Sequence, residues 1–370
     1  MQHAYNPQWI TDDQALAGLC HELENKEIAI DTEFTRRTTY YAQLALIQIA
    51  AGDKRILIDP LRIDDWAPMQ ALLANNKDKI FHAALEDIEV FRCDVGAVPE
   101  VLFDTQVAAA FCGLGDSLSY AALVELLCGV QLGKAETQSD WMIRPLSDSQ
   151  IGYAVDDVEW LQQVKEQLLE KLESTGKLAW MQQYCRRVID SMRQEIAPEI
   201  AYLRLKGASR LSPRQLNIAA HLCTWREISA RKLDRPKSWI VRDPVILEVA
   251  RNAPRDASEL QHRCGMAPES VRRYGRQFLG EIEAAFDTAE PVNALPQPMD
   301  SSQRSVLKAL QKKVEELAQE NNMANRLIAS KSDLEDLIRW ELQDPAQKEP
   351  KMLQDWRSES FATILIAEVK

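Results

Sequence analysis

The sequence predicts an α/β domain, a mixed sheet flanked by helices, followed by two smaller all-helical domains. Three observations predict it. Short apolar runs alternate with helical patterns over about the first hundred residues; strand signals fade after about residue 200; and a Pro-containing polar stretch, NALPQPM at 293–299, divides the helical remainder. The expected domains are 1–205, 206–292 and 293–370. A chain of 370 residues suits two or three domains, and tails of roughly 80 residues can fold alone.

KEIAID, YAQLALIQIA and KRILIDP read as three strands joined by short polar links, which predicts antiparallel neighbours. WAPMQALLAN reads as a helix, KIFHAA as a fourth strand and LEDIEVFRCDVG as the helix after it. Strand–helix–strand connections of that kind imply a parallel part to the sheet. FDTQVAAAFCG and SYAALVELLCGV are helical. Ser147 followed by Gln150 makes a capping-box start. From there one long amphipathic helix is expected to Ser174, with Tyr153, Val155, Val158 and Leu161 opening its periodic face.

Composition is that of an ordinary globular chain, 46% hydrophobic and 27% charged. Seven scattered cysteines without CxxC spacing argue against a disulfide framework or a zinc site and fit a reducing compartment. The N-terminus MQHAYNPQWI has no apolar signal core, and no run approaches a membrane span of about 18 residues. A cytoplasmic protein with no membrane partner is expected. The net charge of −12 disfavours nucleic acid, but it is unevenly spread. Arg204 to Arg276 holds 16 Lys and Arg against 7 Asp and Glu, a local +9 that leaves −21 elsewhere. A basic segment in an acidic chain is a candidate footprint for phosphates, set against a plain solvated helical surface.

The chemistry begins in IAIDTEF. Asp31 and Glu33 stand two residues apart at the end of a core strand, so both side chains face one space. Two buried, unpaired carboxylates repel, and a divalent cation removes that penalty. Asp87, in HAALEDIEVF, adds an acid in a first helical turn; Leu85, Ile88 and Phe91 are the apolar neighbours expected to pack that helix, favouring Asp87 over Glu86. Asp157 follows Tyr153 by four residues, which places hydroxyl and carboxylate on one helical face. Asp156 is turned away by about 100°. Four acids and a tyrosine suit a pair of cations roughly 3.5–4 Å apart, the arrangement that activates water in phosphoryl displacement.

IAIDTEF, HAALEDIEVF and YAVDD resemble the three motifs of the DEDD exonucleases in their tyrosine-bearing branch. TYYAQLALIQIA, DTQVAAAFCG and SDWMIRPLSDSQIGYAVDDVEWL extend the resemblance to the bacterial ribonuclease D family over nearly the whole chain. The resemblance implies a ribonuclease-H-like fold and a 3′–5′ exoribonuclease that trims RNA 3′ ends, notably those of tRNA precursors with 3′ extensions. It implies two divalent cations, Mg2+ or Mn2+, held by Asp31, Glu33, Asp87 and Asp157. Tyr153 would orient the attacking water, and Glu33 would also meet the terminal 3′-hydroxyl. A phenol with a pKa of about 10 is a poor general base at neutral pH.

Outside these five, Phe34 either packs on the terminal base or ribose or fills the core. Gln43 faces RNA or pairs with backbone; His82 is a ligand-binding or a structural histidine. Arg144 holds a phosphate or braces the helix start near Trp141, and Asp104 is a helix cap rather than a metal ligand. SPRQLNIAAHLCTWREISARKLDRPKSWIVRDPVILEVARNAP and YGRQFLGEI resemble the helical domain, called HRDC, that RecQ-type helicases share with this family. Its basic residues include Arg272 and Arg273, offered as RNA contacts, with Trp239 and Tyr274 as an aromatic platform or as core. DLIRWELQ and MLQDWRSES suggest a second, diverged and acidic copy that closes the substrate groove. A monomer is expected from the lack of a long heptad pattern. The alternatives are a DNA exonuclease, since sugar choice depends on a 2′-hydroxyl partner, and a non-catalytic RNA-binding protein, which the retention of every motif acid disfavours.

Overall fold

The computed structural model describes residues 6–133, 139–287, 292, 295–296, 298–342 and 349–369. The chain forms two compact units. The first gathers residues 1–35, 43–193 and 300–370; the second gathers 36–42 and 194–299.

The first unit is built on a six-stranded mixed sheet. Its strands are β1 (Gln8–Ile10), β2 (Ile28–Thr35), β3 (Gln43–Ala51), β4 (Lys54–Ile58), β5 (Lys79–Phe81) and β6 (Leu102–Asp104). The spatial order is β1-β4-β3-β2-β5-β6. The β2–β3 and β3–β4 pairs are antiparallel, as the short links predict. The β1–β4, β2–β5 and β5–β6 pairs are parallel. The outer strands β1 and β6 are not among the four strands expected, and Phe103 and Asp104 of β6 fall in FDTQVAAAFCG, the stretch expected to be helical throughout.

Helices α1 (Asp13–Leu23), α2 (Ala67–Ala74), α3 (Leu85–Val90), α4 (Thr105–Phe111) and α5 (Tyr120–Cys128) follow. The long helix expected over 147–174 is two helices, α6 (Asp148–Glu159) and α7 (Leu161–Ser174). The capping box is present: Gln150 N–H donates to Ser147 Oγ at 3.2 Å, and Ser147 N–H donates to Gln150 Oε1 at 3.0 Å. The break falls at Trp160, where the Tyr120 hydroxyl stands between the Trp160 N–H and the Asp156 carbonyl. Helix α8 (Leu178–Arg193) ends the 43–193 part of this unit.

The C-terminal segment packs into the same unit. It holds α14 (Ser301–Glu320), α15 (Asn325–Ile328), α16 (Lys331–Leu342) and α17 (Thr363–Val369), numbered after the five helices of the second unit. Lys177 Nζ donates to the carbonyls of Phe111 at 3.0 Å and Asn322 at 2.9 Å, closing off α4 against the end of α14. The Trp180 and Trp356 rings stack with centroids 4.9 Å apart. Asp355 is buried between Arg187 and Arg357, and Arg357 also reaches Asp333 at 3.3 Å. Gly113, at φ +69°, leaves room for this seam, since a Cβ there would lie 2.3 Å from Asn322 Oδ1 and 2.7 Å from its carbonyl oxygen. The expectation that this segment serves chiefly to close the groove thus meets a segment that shares the first unit's packing.

In the second unit α9 (Pro213–Leu233) is the central helix, surrounded by α10 (Lys237–Ile240), α11 (Asp243–Asn252), α12 (Ala257–His262) and α13 (Pro268–Asp287). Trp225 packs edge-on against Tyr274 and Phe278, with centroids 5.4 and 4.9 Å away. The connection between β2 and β3 belongs to this unit: Tyr40 and Tyr41 N–H donate to Asp234 Oδ1 at 2.9 and 3.1 Å, and the Tyr40 hydroxyl donates to Glu227. Part of the NALPQPM stretch, and residue 343 of DLIRWELQ, lie outside the described residues.

Gly113→Ala combines a left-handed backbone with a clash against the side chain and carbonyl of Asn322, in the turn after α14. It is expected to destabilise the protein by about 2 kcal/mol, read as a lower urea midpoint at unchanged slope; an unaltered midpoint would dissolve the seam as a structural constraint.

Candidate active site

The site lies where β2 emerges under α6. Asp31 and Glu33 alternate with Thr32 along β2, so the two acids share a face and Thr32 takes the other. Their antiparallel partners are Gln48 and Leu46. The register shifts directly after Glu33: Phe34 pairs with Leu44 and Ala45 is the extra residue of a bulge. Bulges of this kind re-aim side chains beside active sites. Leu46 and Leu57 on this face pack with Trp141, Ala154 and Tyr153, so α6 lies across it.

One carboxylate oxygen from each of Asp31, Glu33 and Asp157 lies within 4.8 Å of the others. Asp157 Oδ2 is buried with no hydrogen-bond partner among protein atoms. A buried, unpartnered carboxylate oxygen in a cluster of three acids is the donor chemistry a hard divalent cation requires, so the residues present fit such an ion. Asp87 is buried close by but outside that tight group; its Oδ1 accepts from the Thr32 hydroxyl at 2.5 Å. Glu86 is exposed. The apolar anchors of α3 are Ile88 and, just beyond its end, Phe91; Leu85, expected to share that packing, is 55% exposed because the helix begins with it turned outward.

Asp104 sets the start of α3. It caps α4 by accepting from Gln106 N–H at 2.9 Å, and also accepts from Ala83 and Ala84 N–H at 3.1 and 3.0 Å. Ala83 sits at φ +60°, unusual for a residue with a side chain, and the carboxylate holds it there. The expected cap role stands, and the same carboxylate fixes the turn that delivers Asp87.

Electrostatics follow from crowding. Burial, then Asp87, Asp157 and Glu33, push Asp31 well above the usual carboxylate range. Burial, then Asp157 and Asp87, raise Glu33 to about 8. Burial raises Asp87 to about 7, opposed by the Thr32 hydroxyl. Burial likewise raises Asp157 to about 7, opposed by the Tyr153 hydroxyl, which donates to it. Tyr153 itself is raised, by burial first and then by Asp157, Glu33 and Asp31, so its phenol stays protonated near neutral pH. Its ring lies 6.0 Å from that of Trp141.

The remaining candidates divide. Phe34 is half-buried on β2 just past the bulge, and Gln43 is exposed at the start of β3 opposite Thr35. Arg144, expected at a phosphate, is instead committed within the protein. Its Nε and Nη2 fork onto Asp59 at 2.9 and 2.7 Å, and Nη2 also donates to the bulge carbonyl of Ala45 at 2.6 Å. Both His82 nitrogens are occupied, Nδ1 with Thr105 Oγ1 at 2.9 Å and Nε2 with the Leu118 carbonyl at 3.0 Å, the arrangement of a structural histidine. Arg272 and Arg273 are exposed on α13. Tyr274 is core, and only Trp239, 57% exposed with the Arg235 guanidinium 5.9 Å from its ring, stands free as a platform. Sequence reasoning passed over Thr32, whose clue was its place between two acids. It also passed over Gln48, the one polar residue inside ALIQIA, fully buried opposite Asp31 with its amide unpartnered among protein atoms.

Residues 7–173 match a 3′–5′ exonuclease domain, 215–282 an HRDC domain, and 302–365 the C-terminal HRDC domain of ribonuclease D. Ribonuclease D of Escherichia coli K12 is 36% identical over 97% of this chain and 97% of its own. The chain belongs to the ribonuclease D family. The Pseudomonas paraeruginosa ribonuclease D is 37% identical, over 97% of this chain and 96% of its own. The crystal structure of E. coli RNase D, described as an exoribonuclease involved in structured RNA processing, superposes with a TM-score of 0.89 over 99% of both chains at 36% identity. As a ribonuclease D family member the chain is a 3′–5′ exoribonuclease, a hydrolase acting on RNA. Among the described residues no helix is long and apolar enough to cross a membrane.

The raised acids set a pH dependence. Unfolded carboxylates ionise near pH 4, whereas Glu33, Asp87 and Asp157 do so at about 7 to 8 in the fold. Between those limits the folded state holds more protons, so their contribution to stability is present below about pH 4 and is lost as pH rises through 7 to 8. A cation removes that loss. The rise in Tm on adding Mn2+ to chelator-treated protein is therefore expected to be larger at pH 8 than at pH 5.5; an equal rise at both would contradict the repulsion described here.

Proposed function

We propose that this ribonuclease trims RNA 3′ ends, those of tRNA precursors with 3′ extensions among them, by two-cation hydrolysis that releases nucleoside 5′-monophosphates. The observation that carries the reading is the meeting of Asp31, Glu33 and Asp157 within 4.8 Å, with an unpartnered Asp157 oxygen and the Tyr153 hydroxyl on the same carboxylate. Asp31, Glu33, Asp87 and Asp157 hold the cations, Mg2+ or Mn2+. Bound there, these ions would supply the positive charge that acidifies a water and neutralises charge building on the phosphate.

The protein's own groups do the positioning. Tyr153, kept protonated, orients the attacking water as a hydrogen-bonding group rather than as a base. Asp157 fixes that hydroxyl by accepting from it. Thr32 holds Asp87 in its rotamer, as groups behind a metal ligand commonly do. Glu33 reaches the terminal 3′-hydroxyl, and Phe34, beyond the bulge, packs on the terminal nucleotide. The exposed arginines of α13, Arg272 and Arg273, meet RNA phosphates. We take the enzyme to be a cytoplasmic monomer; its seven cysteines are all free thiols, as a reducing compartment requires.

Asp31→Ala or Asp157→Ala is expected to abolish hydrolysis of a 3′-extended tRNA while melting as a folded protein, and Tyr153→Phe to lower kcat by about 10- to 100-fold. Full activity in either alanine variant sinks the assignment, and matched RNA and DNA oligonucleotides read out the sugar preference. Reversing the charge of Arg272 and Arg273 together is expected to weaken RNA binding and to lower the slope of log K against log salt by about 1.4, at ~0.7 per phosphate contact on single strands. A slope equal to that of the unaltered enzyme would remove both arginines from the RNA path.

A further inference from the structure

Helix α6 carries both Tyr153 and Asp157, and it stops at Trp160 although the apolar periodicity continues into α7. No proline or glycine stands at the break, which runs Val158-Glu159-Trp160-Leu161. In an unbroken helix the Trp160 N–H would donate to the carbonyl four residues back, that of Asp156. Here the Tyr120 hydroxyl is inserted into that rung. It accepts from the Trp160 N–H at 3.1 Å and donates to the Asp156 carbonyl at 3.2 Å. A side chain inserted into the hydrogen-bond ladder is a recognised cause of helix kinks.

Tyr120 opens α5 and is itself held from behind. Its ring lies 5.7 Å from that of His82, whose two nitrogens are pinned to Thr105 and Leu118. Burial, with Asp157 and Asp31 adding, holds its hydroxyl above the ordinary phenol range, so it remains a donor. The residue whose carbonyl it holds, Asp156, is the neighbour of Asp157.

We propose that Tyr120 is a positioning residue of the exonuclease site: by relaying the Trp160–Asp156 rung it sets the last turn of α6, and so aims Asp157 and the hydroxyl of Tyr153 into the carboxylate cluster. The inference rests on the roles proposed above for Asp157 and Tyr153. Removing the hydroxyl lets the Trp160 N–H close directly onto the Asp156 carbonyl. No backbone group is then orphaned, so folding stability is little changed, but the helix straightens and the acid moves. A displacement of about 1 Å at a reacting centre can lower the rate by about 100-fold.

The test compares the full-length enzyme with Tyr120→Phe, with p-aminophenylalanine at position 120, and with Asp157→Asn. Four quantities are read: Mn2+ affinity of the RNA-free protein by calorimetry, kcat and KM on an oligoribonucleotide, and the cation-free Tm. Tyr120→Phe is expected to lower kcat by about 10- to 100-fold and to weaken Mn2+ binding by about tenfold, with KM within about twofold and Tm within a few degrees. The p-aminophenylalanine variant, which keeps a donor for Asp156 but is a weak acceptor for Trp160, is expected to fall between the two. If Tyr120→Phe retains kcat and Mn2+ affinity within twofold of the unaltered enzyme, the proposal is overturned. Should that variant not fold, the p-aminophenylalanine enzyme decides by the same two quantities: a threefold or greater loss in both supports the relay, and no loss overturns it. Asp157→Asn keeps the readings apart, because full activity there removes the role given to Asp157 whatever Tyr120 does.

Discussion

Mutual repulsion among four carboxylates is the constraint around which the first unit is arranged. Asp31, Glu33 and Asp157 bring oxygens within 4.8 Å of one another, with Asp87 buried nearby. In water such a group would disperse. In this site burial and like charge raise all four acids, so the apo fold holds protons where an open surface would not. The arrangement is unfavourable for folding alone and favourable for capturing a hard cation.

An unfavourable cluster persists only if its supports are rigid, and each acid has its own. Asp31 and Glu33 stand on a paired central strand, and the bulge after Glu33 is held by the fork of Arg144 between Asp59 and the Ala45 carbonyl. Asp87 is delivered by a turn that Asp104 fixes through two backbone amides, and its carboxylate is tied to Thr32. Asp157 hangs on a helix end set by Tyr120. Arg144 and His82 thus serve the site through packing and hydrogen bonds within the protein. Both look like RNA ligands in sequence, since a lone arginine or histidine near a motif carries no mark of where its donors point.

Much of the site was legible in the linear chain because its acids follow local periodicity. Period two on a strand puts Asp31 and Glu33 together, and a four-residue helical step puts Tyr153 above Asp157. The central strands and the antiparallel links were legible for the same reason. Leu85 was misread because apolar character does not tell which way a first helical residue turns. The break at Trp160 was invisible because its cause, Tyr120, lies forty residues earlier in the chain. Gln48 went unnoticed because its meaning arises from the strand opposite, not from its neighbours in sequence.

The linear chain by itself determined the family, the mixed sheet, the helical character of the tails and the five side chains of the motif set, all of which rest on short-range spacing or on the order of motifs. Tertiary structure alone decided the split between α6 and α7, the seating of the C-terminal segment in the catalytic unit, the burial of Tyr274 and the inward commitment of Arg144. Each of these depends on a partner distant in sequence, and hydrogen-bond geometry exists only once the chain has brought that partner within about 3 Å.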